Sequence, residues 1–326
     1  VVPLSYPLGE LSVEPAEDGS RRLVLPAVPE GVEIAVAGAD YEEVIGPDGT
    51  VYSTVEEKEV EVGFLLTRDG VSEETPGYTV TVPAVEQVAP AGETLSENSR
   101  PSVTPEVAEW RGGSGSFSLR EDGRILVDEK WQEEAGEALA SLQTALKTAS
   151  GHSDSDSGET QILIGTKEEM QDGDIYLGIA SEELGLGEEG YLCEIQQDGI
   201  VLLAQEAKGM IWGVNTLCQL LDAEDGDTEN GDAENGEAEQ IACGVIRDYP
   251  RYSVRGFSID IGRRMVSMDT LREMVLELSA SKMNTLGVHL NDNEILSTSR
   301  KNDSIENAFT AYSGFRLESS LQNEKG

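Results

Sequence analysis

The sequence predicts a multidomain protein: an all-β region, an α+β region, then a strand–helix–strand unit of the parallel-sheet kind. Three observations support this order. Over residues 1–88 apolar and polar residues alternate between turns rich in Gly, Pro and Asp. From 103 to 246 strand-like runs are interleaved with two stretches of helical period. From 247 to 326 two short apolar runs flank an amphipathic segment.

In the first region Leu23–Leu25, Val32–Val36, Val60–Leu66 and Tyr78–Val82 read as strands. Pro29-Glu30-Gly31, Pro47-Asp48-Gly49 and Arg68-Asp69-Gly70 supply turns between them. The alternation within Val60–Phe64 and Tyr78–Val82 suits a half-exposed sheet. An immunoglobulin-like β-sandwich fits best, similar to small modules on secreted bacterial enzymes. A spacer or weak binding role is expected of it. Residues 89–102, rich in Pro, Ser, Glu and Gly, read as a linker.

The second region, 103–246, opens with strands at Phe117–Leu119 and Ile125–Val127. A helix is expected over Trp131–Thr148, with Trp131, Ala135, Leu139, Leu142 and Leu146 along one side. Gln161–Gly165 and Ile175–Ile179 are further strands. Gly190–Ile195 and Ile200–Ala204 make a hairpin about a Gln197-Asp198-Gly199 turn. Ala207–Leu221 closes the region as a helix with Met210, Ile211, Val214 and Leu217 inward. Its Gly209 and Gly213, four apart, let it approach a neighbour closely. Residues 222–240 are acidic and lack any apolar period, so a disordered, solvated insertion is expected. They also lack the ordered acids of an EF-hand calcium loop. His152–Gly158 reads as a similar solvated loop.

In the third region Val254, Phe257, Ile259 and Ile261 suit a strand buried on both faces. Ser267–Lys282 reads as a helix: Asp269 and Thr270 offer caps, Thr270 with Glu273 matches a capping box, and Leu271, Met274, Val275 and Leu278 share a face. Leu286, Val288 and Leu290 form the next strand, ending at Asn291, Asp292 and Asn293. In barrels of such units, chemistry gathers where the strands end.

Composition narrows the partners. Lys and Arg number 23 against 63 Asp and Glu, a formal charge of −40, which disfavours nucleic acid and anionic membranes. No apolar run reaches the ~18 residues of a membrane-spanning helix. The chain starts at Val1 without a signal peptide, so a leader removed or a piece of a longer chain is expected. Cys193, Cys218 and Cys243 are too scattered for a disulfide framework or a zinc site, and buried free thiols are expected.

The runs Asp248–Gly256, Ile259–Arg263, Lys282–Asn284 and His289–Asp292 together resemble the opening of the catalytic barrel of glycoside hydrolase family 20, which holds β-N-acetylhexosaminidases and lacto-N-biosidases. Glu189-Gly190-Tyr191 and Gly209–Leu221 resemble the non-catalytic α+β domain that precedes that barrel. The resemblance implies the first portion of an incomplete (β/α)8 barrel over 247–326. It implies a secreted, extracellular or cell-surface enzyme acting on N-acetylated glycans without a cofactor. In the family an adjacent Asp-Glu pair at the fourth barrel strand works with the substrate's own acetamido group as nucleophile. No residue of this chain fits that pair, since 251–326 falls far short of the roughly 250 residues of a whole barrel. The expectation is the N-terminal fragment of a glycoside hydrolase, inactive alone. The alternative is a non-catalytic carbohydrate-binding or surface-adhesion module.

Three residues are candidates for substrate binding. Arg255, in an apolar run, either pairs with Asp260 or another acid, or takes the family's role of gripping sugar hydroxyls with its fork of donors. Asp292 matches the acid after the family's His-Leu motif, although Asn293 stands where a second acid is usual. His289 is either a satisfied core residue or part of the pocket. Asp260 and Arg263 match an Asp-x-x-Arg element expected to be structural. Asp292 and Glu294 lie too close in sequence to flank a sugar as acid and base.

Overall fold

A computed structural model describes residues 11–15, 21–84, 98–120, 123–149, 160–222, 240–262 and 266–290. It divides into two compact units, Val1–Arg251 and Tyr252–Gly326.

The first unit begins with two antiparallel sheets. One holds β1 (Ser12–Pro15), β2 (Arg21–Val24) and β4 (Thr50–Val51) in the order β1-β2-β4. The other is centred on β5 (Lys58–Arg68), which pairs with β3 (Glu33–Ala39), β6 (Val71–Glu74) and β7 (Tyr78–Val82). Period-two alternation sends Val60, Val62, Phe64 and Leu66 of β5 inward, and Val80 and Val82 of β7 with them. The β5–β6 hairpin turns on Asp69 and Gly70, both at positive φ (52° and 77°), as an Asp-Gly turn of this hand requires.

A seven-stranded mixed sheet follows. It contains β8 (Glu109–Ser118), β9 (Ile125–Val127), β10 (Ile162–Ile164), β11 (Asp174–Ile179), β12 (Tyr191–Gln196), β13 (Gly199–Ala204) and β14 (Gln240–Asp248). The order is β10-β9-β11-β13-β12-β14-β8; the first four run parallel and the last three antiparallel to their neighbours. Three helices contribute buried side chains to its core: α1 (Glu129–Glu134), α2 (Gly136–Ala149) and α3 (Ala207–Asp222). The single helix expected over Trp131–Thr148 is therefore two. Asp128 caps α1 by accepting from the Lys130 amide, and Ala135 leaves helical geometry immediately before Gly136.

Three boundaries differ from the sequence reading. Asn98, placed in the linker, is packed: its side chain donates to Gly115 O and Cys243 O (2.7 and 2.8 Å). Arg247 and Asp248, assigned to the third region, are the last residues of β14, and Tyr249 lies in the core of the first β region. Asp222 and Gln240, assigned to the acidic insertion, end α3 and begin β14; residues 223–239 lie outside the described residues, as do 150–159.

The second unit contains β15 (Gly256–Asp260), α4 (Met268–Ala280) and β16 (Thr285–His289). β15 and β16 pair in parallel from Gly256↔Thr285 to Asp260↔His289, so the strand–helix–strand order yields adjacent parallel strands. Ser267, not Asp269 or Thr270, is the N-cap: its hydroxyl accepts the Thr270 amide at 3.1 Å. The helix closes as Lys282 takes a left-handed φ of 54°, with Met283 N bonded to Leu278 O and Lys282 N to Ser279 O. Val254 and Phe257, expected in a strand buried on both faces, are exposed; among the described residues β15 pairs with β16 alone. No helix among the described residues is long and apolar enough to cross a membrane.

Candidate functional site

The two ends of the β15–β16 pair are built differently. At the end where both strands finish, Asp260 and His289 are register partners. The chain after β15 folds over this end. The amides of Ile261 and Gly262 both donate to the carbonyl of His289 at 3.0 Å, and Ile261 is buried. His289 is exposed and Asp260 half-buried, so this end presents one imidazole beside one carboxylate on neighbouring strands. Arg263 and Asp292 lie outside the described residues.

Arg255 stands at the opposite end, immediately before β15. Its guanidinium donates to Lys282 O and Tyr252 O, each at 2.7 Å. Its backbone is clasped by Asn284, whose Oδ1 accepts the Arg255 amide at 3.0 Å and whose Nδ2 donates to Ser253 O at 2.8 Å. Thus Arg255 and Lys282-Met283-Asn284, far apart in sequence, together knit the turn leading into β16. Asp260 stands five positions beyond Arg255, roughly 16 Å of extended chain and beyond salt-bridge reach. The structure therefore brings His289 near Asp260 and leaves Arg255 at the far end, where it anchors backbone.

In the first unit, the other quoted run holds α3 on the hairpin. Glu189 Oε2 accepts the buried Trp212 Nε1–H at 3.0 Å, and Tyr191 OH meets Thr216 Oγ1 at 2.6 Å. Burial and the nearby Asp248 push the Tyr191 hydroxyl well above its ordinary pKa, so it serves as a neutral hydrogen-bonding group. Gly209 and Gly213 are needed for contact: a Cβ at Gly209 would lie 2.2 Å from Gly190 O, and at Gly213 2.5 Å from Leu202 Cδ1. This constellation is a packing device.

Sequence reasoning missed a buried polar cluster where the first β region meets the seven-stranded sheet. Glu109 accepts Arg247 NH1 at 2.7 Å, Tyr249 OH at 2.6 Å and the Val55 amide at 2.6 Å. Arg247 NH2 also reaches the carbonyls of Glu43 and Leu184. No local pattern reveals this, because the pair is separated by 138 residues.

Residues 100–249 match the sequence model of "Glycosyl hydrolase family 20, domain 2", and residues 252–300 that of "Glycosyl hydrolase family 20, catalytic domain". The junction between the matches coincides with the unit boundary at Arg251. A β-hexosaminidase of Porphyromonas gingivalis is 30% identical over 135 residues, 41% of this chain and 16% of the relative. A β-N-acetylhexosaminidase of Cellulomonas fimi is 30% identical over 114 residues, 35% of this chain and 21% of the relative. The chain thus spans about a fifth or less of these relatives' lengths. Among solved structures, the GH20 β-N-acetylhexosaminidase of Streptomyces coelicolor A3(2) aligns at 26% identity with a TM-score of 0.46. That alignment covers 58% of this chain and 35% of the other.

Proposed function

We infer function from one premise: residues 100–249 and 252–300 of this chain belong to glycosyl hydrolase family 20. The protein that contains them is a glycoside hydrolase of the β-N-acetylhexosaminidase kind, acting on N-acetylated glycans outside the cell or at its surface. The observation that carries this is the unbroken order of two family matches across the boundary at Arg251. Residues 252–290 are read as the opening βαβ portion of a (β/α)8 barrel, and residues 11–84 as an immunoglobulin-like sandwich.

In such a barrel the substrate lies where strands end, so His289, the last residue of β16, and Asp292, three positions further on, are read as pocket residues. Arg255, the arginine of the Arg-Gly motif, is read as the residue that grips sugar hydroxyls, supported by its motif; in the described residues it stands before β15 and donates to two backbone carbonyls. The substrate's acetamido oxygen attacks the anomeric carbon as the glycosidic oxygen leaves with a proton. The resulting oxazolinium then opens to water with retention. The acid and the carboxylate that orients the acetamido group are supplied from outside residues 252–290.

The test uses the protein encoded by the reading frame that contains this chain. It is offered a p-nitrophenyl N-acetyl-β-glucosaminide and the β-glucoside lacking the acetamido group. Release from the first alone is expected. Equal release from both would overturn acetamido participation, and release from neither would overturn the hexosaminidase reading.

A further inference from the structure

Its sequence marks the first β region as a spacer, but the buried cluster around Glu109 argues for a different role. Glu109 and Arg247 belong to the seven-stranded sheet, yet their remaining bonds cross to the first region. Glu109 accepts from Val55 N at 2.6 Å, and Arg247 donates to Glu43 O. Tyr249, one residue beyond β14, packs in a core with Val44, Ile45, Val60 and Val80, and meets Tyr41 edge-on at a centroid distance of 5.7 Å. Around this centre Lys58 Nζ donates to Ala108 O at 3.0 Å, and Arg100 NH2 donates to both Glu56 carboxylate oxygens at 2.7 and 2.8 Å. The ring of Tyr52 fills the space over Gly185, where a Cβ would come within 2.1 Å of it.

An arrangement of this kind cannot be cut open cheaply. Undocking would expose the apolar surround of Tyr249, and each buried charge would lose donors or acceptors that water must replace. A flexible tether between independent domains has interfaces of the opposite character, polar and weakly packed. The docked strand end is also the one that runs into the catalytic match, which begins at Tyr252. Arg251, the last residue of the unit, reaches Asp40 Oδ2 of the first region at 3.3 Å.

We propose that Glu109, Arg247 and Tyr249 form a latch that docks residues 11–84 permanently onto the family 20 domain. Its occupant is thus an intramolecular β region, and its effect is to hold the strand end from which the catalytic stretch departs. This inference does not depend on the glycosidase reading, because it requires no activity.

The experiment nicks the full chain and asks whether the pieces stay together. A protease site is inserted after Gly92, the protein is cleaved, and the products are run on gel filtration with native mass spectrometry. Co-elution at the size of the uncut chain is expected. Separation of the wild-type pieces would overturn the proposal. Tyr249→Ala removes the ring that packs across the cut on Val44, Ile45 and Tyr41, and is expected to weaken the nicked complex at least about tenfold. Arg247→Met is expected to separate the pieces while far-UV circular dichroism stays native. Arg120→Ala, removing an exposed pair with Asp172, is the control and is expected to leave co-elution unchanged. Should Arg247→Met fail to fold, Tyr249→Ala decides: association as tight as wild type overturns the assignment of the latch.

Discussion

Glu109 and Arg247 are register partners on β8 and β14, joined at 2.7 Å with their side chains 0% and 2% exposed. Removing either charge strands the other in a dry environment. Glu109→Ala is therefore expected to cost about 3–5 kcal/mol, the typical penalty for breaking a buried pair. Chemical denaturation measures it. A loss below about 1 kcal/mol would show that water already reaches the cluster.

Glu43 gives the same interface a pH dependence. Burial lifts its carboxyl from 4.5 to about 7, against the opposing pull of its own backbone and of Arg247; Glu42 and Glu189 add to the lift. The folded state holds this proton more tightly than the unfolded state. Its contribution is therefore most favourable below about 4.5 and declines as pH rises through about 7. Glu43→Gln removes the titration. The difference in urea midpoint between variant and wild type is expected to grow from pH 5 to pH 8, in favour of the variant. A constant difference would mean that Glu43 titrates normally.

Glycine substitutions in the helices should separate by what stands in the way. At Gly209 the obstacle is the backbone carbonyl of Gly190, which cannot rotate aside; at Gly213 it is the movable side chain of Leu202. At Gly136 nothing lies within 4 Å. Gly209→Ala is expected to cost about 2–3 kcal/mol, Gly213→Ala about 1–2, and Gly136→Ala about zero or slightly less. Thermal melts in that order support the packing described for α3, and a reversed order contradicts it.

Arg255 directs two of its donors to the carbonyls of Tyr252 and Lys282, so its replacement should be felt in stability. In the protein encoded by the whole reading frame, Arg255→Lys is expected to lower stability by about 1–2 kcal/mol and to raise KM. Asp292→Asn should raise KM with little effect on the melt. An unchanged KM at Arg255 would confine that residue to anchoring backbone.

The three thiols are free, with Cys193 and Cys243 buried. Burial raises all three above the ordinary thiol range, Cys218 to about 11 with Asp222 contributing. Little thiolate is available at neutral pH. Ellman's reagent is expected to titrate none of them in native protein at pH 7 and all three after denaturation. Rapid native reaction of any one would contradict this burial.

Legibility in the sequence followed locality. β5 and β7 announced themselves through alternating Val and Phe, and the Asp69-Gly70 turn through its dipeptide, because those patterns are complete within a few residues. β1, β4 and β6 did not, being short and largely polar: Ser12–Pro15, Thr50–Val51 and Val71–Glu74. The end of β14 was misread for a deeper reason. Arg247 and Asp248 look like surface residues until Glu109 and the Ala108 amide, which satisfy them, are brought across the fold. The strand–helix–strand order was readable at 256–289, but not which strand end Arg255 occupied. An apolar run shows where a strand passes, not where its pairing starts, and pairing begins one residue after Arg255. His289 was named from its motif; that Asp260 is its partner across β15 and β16 became visible only with the register.

Glu109 answers three donors, only one of them from a strand of its own sheet, so the seven-stranded domain is not a portable part. Anyone excising residues 98–251 for crystallisation or grafting would expose a carboxylate, a guanidinium and a phenol shaped for a missing lid. The remedy is to redesign that patch as an oily one, with Glu109→Leu and Arg247→Met made together, since well-packed apolar replacements of buried ion pairs are often neutral or better.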